Sequence, residues 1–106
     1  MPKYLLKVNY TLDGVRGVLS KGGSARSAAG RAAVESVGGT LESIYFAFGD
    51  TDVYAVADLP DNAAAAAVAL TISASGGASV STTVLLTPEE VDGATASSVA
   101  YTPPGQ

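Results

Sequence analysis

Paired glycines at 22–23, 38–39 and 76–77 divide the chain into segments whose apolar residues recur at every second position or at every third to fourth. The order of those segments is strand, helix, strand, strand, helix, strand. This is the split βαβ pattern, which right-handed crossovers fold into a four-stranded antiparallel sheet with two helices on one face. The expectation is an α+β protein of ferredoxin-like βαββαβ topology. A length of 106 residues holds one such domain. Residues 1–97 are assigned to it, and residues 98–106, rich in proline, to an extended tail.

From Lys3 to Thr11 the residues alternate, with Tyr4, Leu6, Val8 and Tyr10 on one face and Leu5, Lys7, Asn9 and Thr11 on the other. Thr11 caps a helical segment in which Leu12, Val15 and Leu19 are spaced by three and four. Lys21-Gly22-Gly23 interrupts it, and Ser24 caps a second segment to about Val37, so one broken helix is expected. The second strand, Leu41 to Phe48, places Leu41 and Tyr45 on one face and Ile44, Phe46 and Phe48 on the other. Gly49-Asp50-Thr51-Asp52 has turn chemistry, Gly49 permitting a positive φ, and Val53 to Asp58 returns as the third strand. Asp61 caps an alanine-rich helix whose expected buried stripe is Ala67, Val68, Thr71 and Ala74. Ser79 to Leu86 is the fourth strand, and Thr87-Pro88-Glu89-Glu90 fits a capping box that opens a short last helix.

Of the 50 apolar residues 19 are alanine, so the core is built from small side chains and a single subunit is expected to gain stability by association. Helices on one face leave the other bare. With apolar residues on both sides of the first two strands, that bare face presents an apolar patch, which a second copy of the sheet would cover. Leu6 and Tyr45 are expected on it.

The run Tyr45-Phe46-Ala47-Phe48-Gly49-Asp50-Thr51-Asp52-Val53, followed by Ala57-Asp58-Leu59-Pro60-Asp61-Asn62, resembles the GYD domain family of small bacterial proteins. The likeness extends over about residues 3 to 92, and the stretches around Thr87-Pro88-Glu89-Glu90 and Tyr101-Thr102-Pro103-Pro104 resemble one branch of that family. It implies a fold grouped with the dimeric α+β barrels, hence a homodimer. Such barrels include monooxygenases, isomerases and ligand sensors. Gly49, Asp50 and Asp52 fall in the family's hairpin motif, but Thr51 stands where its tyrosine is usual.

The chain has neither His nor Cys, which removes Ser-His-Asp and Cys-His nucleophile systems, thiolate zinc sites and Cys-ligated clusters at the level of ligand supply. No cofactor is called for. Asp50, Asp52, Asp58 and Asp61 bunch near the hairpin, but turn and cap roles account for them better than a cation, and no metal is expected. Lys21-Gly22-Gly23-Ser24-Ala25-Arg26 sets two cations and a hydroxyl at a helix break, an arrangement that suits a phosphate or carboxylate. Tyr4, Tyr10 and Tyr45 on strands, with Lys7 opposite, would line a site for a small planar molecule or pack at a dimer interface. The ligand-binding set is thus Tyr4, Lys7, Tyr10, Arg26 and Tyr45.

A net charge of −4 with scattered cations argues against nucleic acid. The longest apolar run, Ala63 to Leu70, is too short to span a bilayer, and a strand pattern directly follows Met1-Pro2, so a cytoplasmic location is expected. Three readings of function follow: a small-molecule-binding homo-oligomer without catalysis, a cofactor-free enzyme of the monooxygenase or isomerase kind, and a self-assembling structural protein.

Overall fold

The computed structural model describes residues 1–106. Its elements run β1 (Lys3–Tyr10), α1 (Leu12–Ser36), β2 (Thr40–Phe46), β3 (Val53–Asp58), α2 (Asn62–Ala74), β4 (Ala78–Leu85) and α3 (Pro88–Thr95). The four strands form one antiparallel sheet in the order β2-β3-β1-β4, the ferredoxin-like arrangement. All three helix starts follow the capping chemistry of the sequence. Thr11 accepts from the Gly14 N–H, Asp61 from the Ala64 N–H, and Thr87 forms a reciprocal capping box with Glu90 behind Pro88.

The broken helix is present as two helical stretches joined at Gly22, whose φ of 84° and ψ of 172° lie outside helical space. Only glycine takes that conformation without strain, so Gly22 is the point at which α1 changes direction.

Core residues come from one sheet face and from the helices above it: Tyr4, Leu6, Leu41, Ala55 and Ala57 from the strands, Val34 from α1, Leu59 from the loop before α2, and Ala65 from α2. Leu6, expected on the bare face, is only 5 % exposed beneath the helices. Alternation separated the faces of β1 correctly but could not say which one the helices would take. They take the bulkier, Tyr4-Leu6-Val8. On α2 the buried residues are Ala65 and Val68, with Ile72 half-buried below them, while Ala67, Thr71 and Ala74 are exposed. Burial there follows the line of closest approach to the sheet, which a helix of near-uniform alanine does not mark.

The second strand departs from simple alternation. Its register slips between Leu41 and Ser43, so Leu41 opposes Ala57, Ile44 opposes Ala55 and Phe46 opposes Val53. This bulge turns Leu41, Ile44 and Phe46 toward the helices together and leaves Ser43 and Tyr45 on the other face. The bare face is therefore not the contiguous apolar patch expected. It carries a middle row of Ser43, Val56, Leu5 and Thr83 between an aromatic and cationic row, Tyr45, Tyr54 and Lys7, and an ionic row at the far end.

In that ionic row Lys3 Nζ donates to Asp58 Oδ1 at 2.9 Å and to Glu42 Oε2 at 3.0 Å, which ties β1 to β3 and to the bulge of β2. The hydrogen bond to Asp58 first, and that to Glu42 second, hold the Lys3 ammonium above the ordinary lysine value of 10.5. The folded protein thus binds this proton more tightly than the unfolded chain. Its contribution to stability is complete below 10.5 and is lost as pH rises through the raised value. Urea denaturation of the wild type and of Lys3→Met from about pH 9 upward is expected to show a steeper alkaline loss of stability in the wild type. Parallel curves would remove Lys3 from the pH dependence.

Candidate functional site

The α2–β4 turn holds the start of α1 against the sheet. The Thr11 N–H donates to the Gly77 carbonyl at 3.0 Å, and the Thr11 hydroxyl donates to the Gly76 carbonyl at 2.8 Å. A Cβ at Gly14 would collide with the Gly77 carbonyl oxygen, so only glycine lets α1 lie this close. Beyond that contact α1 bends at Gly22, and between the bend, the end of β1 and the last turn of α2 a cavity of about 340 Å³ opens.

Polar groups surround this cavity: Tyr10 from β1, Asp13, Lys21 and Arg26 from α1, and Ser75 from the end of α2. Backbone at Gly14, Gly17, Gly76 and Gly77 forms much of the rest. Lys21 and Arg26 outnumber Asp13, so the mouth favours an anion. Beneath it a narrower apolar recess of about 60 Å³ runs between helices and sheet, lined by Leu6, Val8, Ile44, Val53 and Ile72. Tyr10, Arg26, Ile72 and Ala78 line both spaces. A guanidinium above an apolar recess can hold the carboxylate of an organic acid while its hydrocarbon part enters the recess.

The residues expected to bind a ligand divide between three places. Tyr10 and Arg26 meet at the cleft. Tyr4 is buried in the core, where its hydroxyl donates to Asn62 Oδ1 at 2.7 Å, and it acts there as a structural link between β1 and α2. Lys7 and Tyr45 lie on the opposite, bare face, with Tyr54 between them in register. The expectation that Tyr45 shares a face with Tyr4 and Tyr10 fails because of the bulge in β2. Sequence reading passed over Asp13, Ser75 and the glycine wall. Gly14 and Gly17, one helical turn apart, were the available signal, since small residues at that spacing open a face of a helix.

The hairpin residues have architectural roles. The Asp52 carboxylate accepts from the Tyr10 N–H at 2.8 Å, while the Asp52 N–H donates to the Val8 carbonyl at 3.0 Å and to Asn9 Oδ1 at 3.2 Å. The Ala47 N–H donates to the Asp52 carbonyl at 2.8 Å and closes the loop. Asp52 thereby holds the end of β1, and with it Tyr10, at the edge of the cleft. Gly49 does not use the positive φ expected of it, and both it and Asp50 are exposed. Thr51 is buried. The other aspartates are dispersed, Asp58 on Lys3 and Asp61 at the α2 cap.

The family model of the GYD domain matches residues 4–95. No curated protein and no solved structure matches the chain.

Asp52→Ala is expected to lower unfolding stability by about 1.5–3 kcal/mol, the usual loss for a hydrogen bond to a charged group. Asp52→Asn, which keeps an acceptor, is expected to lose less. Equal urea midpoints for wild type and Asp52→Ala would show that the carboxylate does not secure β1.

Proposed function

The chain belongs to the GYD domain family, and from that footing we propose that it is a homo-oligomeric binding protein for a small organic acid, held in the cleft between α1, α2 and the end of β1. One observation carries this reading: Arg26 borders both the polar mouth and the apolar recess below it. A carboxylate paired with Arg26, with Lys21 and the Tyr10 hydroxyl beside it, would place its apolar body against Val8, Ile44 and Ile72. Neither half of the cleft would hold such a molecule well alone. The mouth is open to water, and the recess is too narrow for more than a short chain or part of a ring.

Self-association is the second part of the proposal. The bare sheet face sets Leu5 and Val56 among Tyr45, Tyr54 and Lys7, a mixture of aromatic, aliphatic and cationic groups suited to a surface covered by another copy. No helix is long and apolar enough to cross a membrane.

Isothermal titration with benzoate and with its neutral counterpart benzamide tests the cleft. Benzoate is expected to bind the wild type and to lose roughly tenfold or more in affinity in Arg26→Gln, as removal of a charge-assisted hydrogen bond implies. Benzamide is expected to bind far more weakly than benzoate. Equal affinity for acid and amide, or an unaffected Arg26→Gln, would overturn the assignment.

A further inference from the structure

The apolar recess beneath Arg26 is bounded by a glycine that the backbone does not require. Gly22 takes a positive φ, and a Cβ at Gly14 or Gly39 would collide with a carbonyl oxygen. Neither reason applies at Gly30. It lies in the second stretch of α1 with helical backbone angles, and a Cβ there would meet only Ile44 Cδ1, at 4.0 Å, an ordinary contact. Alanine suits such a position better, because it has fewer conformations to lose on folding and leaves less of the helix backbone open to water. What the absent methyl group leaves free is space in the recess, which Gly30 lines together with Ile44.

On the α2 side stands Ile72, half-buried. It borders the polar mouth, the recess and a third space of about 100 Å³ in the seam between the helices, lined by Ala33 and Val37 on one side and Val68 and Thr71 on the other. No other residue borders all three. With Val68, Ile72 thus stands between the recess and the seam. Apart from Tyr10 and Arg26, which also line the mouth, the walls of the recess carry neither an aromatic ring nor a polar side chain. An aliphatic space of about 60 Å³ suits a slim hydrocarbon chain.

On the reading of the cleft as an acid site, we infer that Gly30 and Ile72 set the length of its ligand, an unbranched aliphatic carboxylate. The carboxylate pairs with Arg26, the chain passes Gly30, and Ile72 closes the recess against the seam. A methyl group at Gly30 would shorten the space for the chain, and truncation of Ile72 would extend it into the seam.

Isothermal titration of the full chain with butanoate, hexanoate, octanoate and decanoate tests this in the wild type, Gly30→Ala and Ile72→Ala. Wild-type affinity is expected to rise with chain length until the recess is filled and to rise no further beyond that. Gly30→Ala is expected to raise the urea midpoint and yet to weaken the acid that the wild type binds best by roughly tenfold or more, the usual effect of one methylene in an apolar pocket. Its preference moves to a shorter chain. That of Ile72→Ala is expected to move to a longer one. A purely structural role for Gly30 would change stability and leave the order of the acids untouched. Should Ile72→Ala fail to fold, Gly30→Ala, where the added methyl meets no backbone, still gives the answer. Benzoate binding that depends on Arg26, combined with no binding of aliphatic acids or with one chain-length order in wild type and variants, overturns the roles of Gly30 and Ile72 and leaves the acid site standing. Failure of every acid to bind, benzoate included, overturns the acid site and the length assignment with it.

Discussion

Ala55 and Ala57 determine how near the helices come to the sheet. They occupy the middle of β3, beside Leu6 and Tyr4 of β1, and their methyl groups leave room for Val34 and Ala65 to descend between larger neighbours. Small residues on the strand and small residues on the helices are two halves of one arrangement: Ala65 on α2 and Gly14 on α1 mark the close approaches. Such a core removes little apolar area per residue from water, so its stability depends on intimate packing rather than on bulk. Where the helices cannot follow the sheet that closely, space remains. α1 breaks at Gly22, and the cleft opens between that break, the end of β1 and the end of α2.

The bulge in β2 has effects on both sides of the sheet. By turning Leu41 and Ile44 inward together it completes the core and supplies Ile44 to the recess. By the same displacement it leaves Tyr45 on the open face beside Tyr54 and Lys7, and places Glu42 within reach of Lys3. One additional residue thus joins the ion cluster, the aromatic row and the interior packing into a single structural choice.

Asp52 plays the corresponding part at the other end of the sheet. Its carboxylate and its backbone engage three consecutive residues of β1, Val8 through Tyr10, just before Thr11 caps α1. The loop between β2 and β3 therefore orients the strand end from which Tyr10 meets the cleft. In this chain Asp52 engages the backbone of β1 and of the hairpin loop, and the burial of Thr51 accords with a small residue filling the base of that turn.

Much of the architecture was legible in the chain itself, because local rules operate over a few residues. Capping by Thr11, Asp61 and Thr87, the break at Gly22 and the order of strands and helices all follow from side chains acting on their own backbone or from short-range periodicity. Lys21 and Arg26, which flank that break, both line the cleft. Other features required the assembled fold. Which face of β1 the helices cover, the slip at Glu42 that parts Tyr45 from Tyr10, the burial of Tyr4 against Asn62 and the joining of Arg26 to Ile72 depend on elements far apart in sequence. Alternation in a strand defines two faces but not their occupants, and an alanine helix has no marked side. Only packing against the rest of the molecule decides between such locally equivalent choices.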